Sequence, residues 1–427
     1  MKRHVTVVFS LALIVATTLF VSLTVTAKPK TTIEFMETLT SPARTVFVKE
    51  LITEFEKENP DIHVELLSVP WEQAHDKILT LMAAGNLPDV LEMAANWVAE
   101  MSATGKVEDL GPYLEKWEYK DTLSESGLAL GRTYKNTQYV IPQSLYFQCM
   151  YYRPDWLKEK DLPVPTTIDE FYNAVNKVTN PSKNRYGYAF RGGMGTWTHV
   201  LNFIMAAGGW TNYFDDQGRA VFRDPKAVAA FKRFMDMYFN NAPADALNWG
   251  YAETVNAFTT GTAGFIIQDS EVIGTCEEAM SPGTFAVAPH PVAADGKRYL
   301  VSGYIGLSMM SDSKNKDAAW KFISFLLRPD INTRWGKATT TIPITKAAWQ
   351  DPFFSQGHIA AYTQTLQDPR TVFFMHPDYL PEWGEFFSRI TVKEIQSYLL
   401  GRQDAKATMD AISDYLESAL AKYKSKK

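Results

Sequence analysis

The chain has 427 residues, more than one hydrophobic core usually accommodates, so two domains are expected. Its content of 46% hydrophobic and 21% charged residues is ordinary for a globular protein. A net charge of −5 supplies no general basic surface, which argues against a nucleic-acid partner.

The first 27 residues have the pattern of a secretion signal. Lys2 and Arg3 form a basic start, residues 5–25 are mainly apolar, and Val25-Thr26-Ala27 resembles a small-residue cleavage site. We favour cleavage near Ala27, although an apolar run of this length is also compatible with an uncleaved membrane anchor. No cysteine follows the run, so no lipid anchor is expected.

The chain contains two cysteines, Cys149 and Cys276, which lie far apart in the sequence. An exported protein could join them in a single disulfide. Two buried thiols are the favoured interpretation, because an unpaired cysteine behaves as a small apolar residue and nothing here resembles a disulfide framework.

The first third of the chain alternates between predicted strands and helices. Strands are expected at residues 32–36, 62–67 and 88–93, with helices between them at 42–58 and 71–84. This order is typical of a parallel sheet with crossover helices, in which ligands bind beyond the carboxyl ends of the strands. Four side chains are therefore expected near a binding cleft: Glu37, Trp71, Asn96 and Trp97.

The middle of the chain contains a passage marked by proline. Two β-rich runs flank Pro142, and an amphipathic helix is expected at residues 168–178. Because proline fixes φ and resists helix formation, the passage predicts a hinge between two bodies. Residues 191–197 predict a flexible turn before an apolar helix at 201–207.

Two further crossings between the bodies are predicted in the second half. One follows the glycine-opened strand at 261–269, and the other is the polar link at 312–316. Strands are expected around 285–289 and 299–310, and two helices are expected between 392 and 423.

Signatures of the commonest enzyme mechanisms are absent from the sequence. It contains no serine nucleophile elbow, no zinc-protease helix motif, no phosphate-binding P-loop and no dinucleotide fingerprint. The seven histidines form no ligand pair at helical spacing, and Asp215–Gly218 predicts a turn better than a calcium loop. We therefore predict no catalytic residues, no metal, no cofactor and no enzyme.

Aromatic residues stand at turns and strand ends beside carboxylates and amides. Carbohydrates present C–H faces that pack on flat rings and hydroxyl groups that bond to polar side chains. For each aromatic residue taken singly, packing in the core is about as probable as contact with a ligand. The polar residues added on this basis are Gln143, Gln268 and Asp269, and the aromatic ones are Trp197, Trp210, Trp249 and Tyr304, the last with its neighbour Gly303.

Six short motifs, in order and at matching spacing, resemble the sugar-binding group of solute-binding proteins of ATP-binding-cassette importers, the group that includes maltose-binding protein. They stand at residues 84–90 (AGNLPDV), 105–110 (GKVEDL), 139–142 with 151–153 (YVIP, YYR), 165–171 (PTTIDEF), 257–263 (AFTTGTA) and 318–322 (AAWKF). Tyr152-Arg153-Pro154 departs from the usual Asn-Lys or Asn-Arg pair, and the lipid-anchoring cysteine of many members is missing.

The resemblance implies the α/β fold of a type II periplasmic binding protein. Each of its two lobes would be a mainly parallel sheet flanked by helices, with the ligand cleft between them. The expected N-terminal lobe comprises residues 28–143 and 268–314, and the C-terminal lobe comprises 144–267 and 315–427. The family's ligand contacts fall around Glu37, Asn96-Trp97, Gln143, Gln268-Asp269 and Gly303-Tyr304, and more loosely around Trp197, Trp210 and Trp249.

The function that follows from the resemblance is capture of a mono- or oligosaccharide by closure of the lobes and delivery to a membrane permease. A periplasmic monomer is expected. A sugar phosphate, polyol or polyamine remains an alternative ligand. A secreted glycan-cleaving enzyme and a partner of a sensory protein are alternatives of other kinds.

Overall fold

The computed structural model describes residues 30–426, so the predicted secretion signal lies outside the described residues. The strands are β1 Thr31–Glu37, β2 Ile62–Ser68, β3 Val90–Ala94, β4 Ile141–Tyr146, β5 Cys149–Tyr152, β6 Tyr186–Tyr188, β7 Ala263–Gln268, β8 Ala286–Ala288, β9 Arg298–Met309, β10 Ile342–Pro343 and β11 Thr371–Met375. The first nine α-helices are α1 Pro42–Glu58, α2 Trp71–Ala84, α3 Val98–Ala103, α4 Gly111–Leu114, α5 Glu125–Leu130, α6 Pro154–Glu159, α7 Ile168–Val178, α8 Thr196–Gly208 and α9 Pro225–Asn241.

The remaining helices complete the C-terminal half. They are α10 Tyr251–Thr259, α11 Val272–Ala279, α12 Lys316–Leu326, α13 Pro329–Thr339, α14 Ala360–Gln367, α15 Trp383–Glu385, α16 Thr391–Leu399 and α17 Ala405–Ser425. A π-helix at Phe386–Ile390 joins α15 to α16. The predicted turn at 191–197 ends earlier than expected, because α8 already begins at Thr196.

Local capping signals explain where several helices begin and end. The Ser41 side chain accepts a hydrogen bond from the Arg44 backbone N–H at the start of α1. Thr167 and Glu170 form a reciprocal capping box at the start of α7. Gly85 ends α2 with a φ of 70°, a left-handed conformation that glycine adopts without a steric penalty.

The N-terminal lobe is built on a sheet with the strand order β10-β4-β9-β3-β1-β2. β1 pairs in parallel with β2 and β3, whereas β9 runs antiparallel to β3 and β4. Helices α1, α12 and α13 bury one face of this sheet, and α2 and α3 bury the other.

The C-terminal lobe is built on a sheet with the strand order β6-β7-β5-β8. β6 is parallel to β7, and β5 is antiparallel to β7 and β8. Both sheets are therefore mixed, because β4 and β9, and in the second sheet β5, pair with their neighbours in antiparallel register. Helices α7, α8, α9 and α17 contribute to the larger core of this lobe.

The chain passes between the lobes three times. The first passage joins β4 to β5 through Phe147 and Gln148. The second lies inside β9, whose residues 298–302 pair with β11 while residues 303–307 pair with β4. The third follows β10, after which Phe354 and Tyr362 pack in the C-terminal lobe.

These passages differ from the predicted boundaries at 267/268 and 314/315. After β7 the chain stays in the C-terminal lobe, because β8 pairs with β5 and Ile273 of α11 packs in one cluster with Ile266. After residue 314 it stays in the N-terminal lobe, because the Phe322 ring of α12 lies 5.2 Å from the ring of Phe35 in β1. The polar link at 312–316 is therefore a turn within one lobe.

The two cysteines are unpaired and buried, as the favoured interpretation predicted. Burial raises the pKa of each thiol to about 12, so both are protonated at neutral pH. They are apolar packing groups of the C-terminal lobe.

Candidate functional site

A cavity of about 160 Å³ lies between the two lobes. The N-terminal lobe contributes residues that follow β1, β2 and β3, in keeping with the rule that ligands bind beyond the carboxyl ends of strands. The passages between the lobes contribute Phe147, Gln148 and Gly303 to the lining. The C-terminal lobe contributes residues that follow β6 and β7, together with the start of α10.

Six of the twelve predicted site residues line this cavity: Trp71, Asn96, Gln268, Asp269, Gly303 and Tyr304. They come from both lobes and from β9 between them. Trp71 is the first residue of α2, and Asn96 follows β3. Gln268 is the last residue of β7, and Gly303 and Tyr304 occupy the part of β9 where it changes lobes.

Besides the hydroxyl groups of Tyr146 and Tyr304, three residues of the cavity lining carry buried hydrogen-bond donors without a protein partner. These donors are the amide nitrogens of Asn96 and Gln268 and the Nε and Nη2 atoms of Arg191. Each of these side chains is at least nine-tenths buried. Because an unmade hydrogen bond on a buried polar group costs free energy, a ligand that supplies acceptor atoms is favoured here.

A pair of stacked tryptophans stands on the N-terminal side of the cavity. The rings of Trp71 and Trp97 lie 4.8 Å apart at an interplanar angle of 23°. Trp97 is only 1% exposed and lies outside the cavity lining, whereas Trp71 lines the cavity. Trp97 therefore supports the ring of Trp71, which is the flat apolar surface offered to a ligand.

A buried cluster of charges connects the lobes beside the cavity. Arg44 of α1 forms ion pairs with Glu37 and Glu92 of the same lobe. Its Nη1 also lies 2.5 Å from Oε1 of Glu271, which precedes α11 in the C-terminal lobe. Burial opposes the charge of the guanidinium, but Glu92 and Glu271 outweigh burial and raise the pKa of Arg44.

Glu37 belongs to this cluster and lies outside the cavity lining. Its side chain is completely buried and accepts hydrogen bonds from Thr45 and Ser68. Burial raises its pKa, and Arg44 opposes that rise. The position after β1 is thus close to the cleft, but the carboxylate is directed to Arg44 and α1.

The carboxylates of Asp269 and Glu271 line the cavity on the C-terminal side. Burial is the largest cause of a raised pKa for both groups. Arg44 lowers the pKa of Glu271, and Arg191 lowers that of Asp269, so each carboxylate has its own guanidinium neighbour.

Three further predicted residues of the C-terminal lobe lie outside the cavity lining. Trp197 is completely buried, with its ring edge-to-face against Phe222 and Phe386 in the lobe core. Trp249 lies outside the cavity lining, and its Nε1 donates a hydrogen bond to the carboxylate of Asp245. Trp210 follows the left-handed Gly209 at the end of α8, also outside the lining.

Gln143 is the remaining predicted residue, and it marks an irregularity in the hinge. The pairing of β4 with β9 shifts register between Pro142 and Ser144, so Gln143 has no opposite residue. Its carbonyl accepts a hydrogen bond from Asn332 of α13, and its side chain is buried outside the cavity lining.

Arg191 and Glu271 are among the lining residues that were not predicted. Arg191 follows β6 as Asp269 follows β7, so the rule about strand ends could have found it. The signal was masked because the Gly-Gly-Met-Gly sequence after Arg191 predicts only a flexible turn.

Contacts between the lobes surround the cavity. The Glu72 carboxylate of α2 accepts a hydrogen bond from the backbone N–H of Tyr251, the first residue of α10, at 3.1 Å. Arg389 and Asp76 form an exposed ion pair at 3.2 Å. Together with the pair of Arg44 and Glu271, these contacts join helices of one lobe to helices of the other.

Membrane-spanning helices and metal-binding clusters are both absent from residues 30–426. No helix in this part of the chain has both the length and the apolar character needed to cross a membrane. No group of three histidine, cysteine or carboxylate side chains in the same range could hold a metal ion.

The two lobes, the three passages and the cavity between the lobes define a two-lobed solute-binding protein. The sequence profile of the bacterial extracellular solute-binding protein family matches residues 29–333. This match covers more than half of the chain, and the chain belongs to that family.

Relatives and solved structures agree with this assignment. A protein of Brucella abortus named as a binding protein is 24% identical over 379 residues, which cover 86% of this chain and 89% of the relative. A maltotriose-binding protein of Pyrococcus abyssi is 26% identical over 306 residues, which cover 69% of this chain and 62% of the relative. The fold is shared with a solute-binding protein of an ABC transporter from Thermotoga lettingae, bound with α-D-tagatose, at a TM-score of 0.81 and 22% identity. The alignment covers 92% of this chain and 100% of that structure.

Proposed function

We propose that the chain is the binding subunit of an ATP-binding-cassette importer that captures a mono- or oligosaccharide and delivers it to a membrane permease. The observation that carries the proposal is the combination, in one cavity, of the exposed face of Trp71 with the unpartnered donors of Asn96, Arg191 and Gln268. A sugar ring offers C–H groups to the indole and hydroxyl oxygens to the donors.

The named ligands of similar proteins support a carbohydrate. The relative from Pyrococcus abyssi is named for a trisaccharide, and the structure from Thermotoga lettingae holds a monosaccharide. These names favour the carbohydrate class over a sugar phosphate or a polyamine.

Capture follows from contacts with both lobes. Trp71 and Asn96 lie on the N-terminal lobe, whereas Arg191 and Asp269 lie on the C-terminal lobe. A ligand that touches both sets favours the closed arrangement by its differential affinity for that state. The closed protein then docks on the permease, and ATP hydrolysis takes place in the transporter.

A glycan-cleaving enzyme is the competing function, since Asp269 and Glu271 are two carboxylates in one cavity. Glycoside hydrolysis places its two carboxyl groups on either side of the scissile bond. Here the two residues belong to one short segment, and Glu271 is held by Arg44. We therefore propose a monomeric, exported periplasmic binder without cofactor or catalytic activity.

A thermal-shift screen tests this function. The purified chain from residue 28 onward is heated with neutral mono- and oligosaccharides, polyols, sugar phosphates and polyamines. A carbohydrate present at one hundred times its Kd is expected to stabilise the protein by about 2.7 kcal/mol and to remain intact. Stabilisation by a polyamine or a sugar phosphate alone would contradict the carbohydrate ligand, and shortened sugar products would indicate an enzyme.

A further inference from the structure

We propose, on the basis of the carbohydrate function proposed above, that Arg191 and Asp269 select an uncharged ligand by binding neighbouring hydroxyl groups between them. In this arrangement the hydroxyl oxygens accept hydrogen bonds from the guanidinium of Arg191, and a hydroxyl hydrogen is donated to the carboxylate of Asp269. The pair is thus a specificity determinant that disfavours acidic and basic sugars.

Arg191 lines the cavity, and one edge of its guanidinium has no hydrogen-bond partner in the protein. The side chain is 7% exposed, and its unpartnered Nε and Nη2 form the side-on fork that can bind two acceptor atoms at once. Gly195, with a φ of 95°, makes room for it, since a Cβ at that position would lie 2.5 Å from the Arg191 Cζ. The Tyr251 ring lies 5.8 Å from the same carbon.

Asp269 presents a complementary acceptor to the same cavity. Its Oδ1 accepts a hydrogen bond from the Glu271 backbone N–H, and no hydrogen bond from residues 30–426 reaches its Oδ2. Arg191 and Asp269 act on each other through space, but no hydrogen bond joins Asp269 to the Nε or Nη2 of Arg191. Two opposite charges thus line one cavity, each with unused hydrogen-bonding capacity.

The surrounding charges decide which ligand fits this pair. A ligand carboxylate or phosphate on Arg191 would also meet the negative charges of Asp269, Glu72 and Glu253, which all act on that guanidinium. A ligand ammonium on Asp269 would meet Arg191. A hydroxyl group avoids both repulsions, because it accepts from the cation and donates to the anion.

Matched sugars test the selection by charge. Calorimetry on the full mature chain compares D-glucose, D-glucuronate and D-glucosamine, and the corresponding galacto and manno triplets. We expect the neutral member of the binding triplet to bind at least about tenfold more tightly than its charged counterparts, because each counterpart brings like charges together. A uronate or an amino sugar that binds as tightly as the neutral sugar would overturn the inference while leaving the carbohydrate function intact.

Variants separate this role from a merely structural one. Asp269→Asn is expected to weaken binding of the neutral sugar and to improve binding of the corresponding uronate. Arg191→Gln is expected to improve binding of the corresponding amino sugar. Arg191→Lys keeps the positive charge but loses the two-nitrogen fork, so it should weaken binding of the neutral sugar without improving binding of the amino sugar. The exposed Arg219→Gln is the matched control and should change neither preference.

Unchanged affinity for the neutral sugar in folded Arg191→Lys and Asp269→Asn overturns the role of the pair, as does an unchanged charge preference. If the triplets do not bind but an oligosaccharide from the screen does, the same variants are measured with that oligosaccharide. If the folded wild-type chain binds no carbohydrate at all, the proposed function fails and this inference fails with it.

Discussion

Three tryptophans show how one residue type takes different roles in this protein. Trp71 lines the cavity, whereas Trp97 stacks on the ring of Trp71 and supports it. Trp197 fills the core of the C-terminal lobe. All three stand near turns or polar residues in the sequence. Their roles depend on the far side of the ring, which is covered by residues distant in the chain and is invisible to local patterns.

Replacing Trp71 by alanine is expected to weaken carbohydrate binding by about 1–3 kcal/mol, because the ligand loses its stacking surface. The change corresponds to a roughly 5- to 150-fold higher Kd. Calorimetry measures this value, and the thermal midpoint without ligand should change little, since Trp71 is only partly buried.

Trp197→Ala is the matched contrast. It should cost about 3–5 kcal/mol of folding free energy, measured by urea unfolding, because it leaves a cavity in the core. Unchanged affinity in Trp71→Ala would remove that ring from the ligand site.

At the scale of elements, the sequence predicts helices and strands better than it predicts where they pack. The caps of α1, α2 and α7 are local, and the elements that they begin or end were predicted close to their observed bounds. The lobe to which α12 belongs was not predicted correctly, because the apolar face of this helix is compatible with either sheet. That choice is made by contacts such as Phe322 with Phe35, nearly 300 residues away in sequence.

The pairing of β4 with β9 at the hinge allows almost no extra volume. A Cβ on Gly306 would lie 2.5 Å from the backbone oxygen of Ile141 and 2.8 Å from the Pro142 Cα. Because backbone atoms cannot move aside as a flexible side chain can, Gly306→Ala should destabilise the protein by about 1–3 kcal/mol.

Urea unfolding measures this effect, and the same strand supplies its control. A Cβ on Gly303 has no neighbour within 4 Å, so Gly303→Ala should change the folding free energy by no more than about 1 kcal/mol. Equal stability of the two variants would contradict a close approach at Gly306.

At the scale of the whole molecule, the buried charge cluster makes closure sensitive to pH. Burial raises the pKa of Glu271 to about 7 in the closed arrangement, with Arg44 opposing and Asp269 and Glu92 adding to the rise. When the lobes separate and water reaches the carboxyl group, its pKa returns towards the ordinary value of about 4.3. The closed form therefore binds this proton more tightly than the open form.

The sign of the pH dependence follows from that difference. The contribution of Glu271 to closure is fully present below the ordinary pKa and is lost as the pH rises through about 7. Ligand affinity should therefore fall, on the order of tenfold, between about pH 5.5 and pH 8.

Calorimetry across this pH range checks the prediction, and two substitutions test whether Glu271 is the group that causes the pH dependence. Glu271→Gln should flatten most of the dependence because it removes the titrating group. Glu278→Gln, on an exposed position of α11, should leave the wild-type profile unchanged. An affinity that rises with pH would contradict proton uptake on closure.

The hydrogen bond from Tyr251 to Glu72 gives the first turn of α10 a partner from the opposite lobe. The first N–H groups of a helix have no acceptor within the helix, so this amide hydrogen exchanges with solvent quickly unless Glu72 is in place. Its exchange rate consequently reports the fraction of molecules that are closed. Ligand should slow the exchange at Tyr251 in the wild type, as measured by NMR, and should not slow it in Glu72→Ala. The amide of Gly250, bonded to Glu253 within its own lobe, provides the internal reference for counting closed molecules without any attached label.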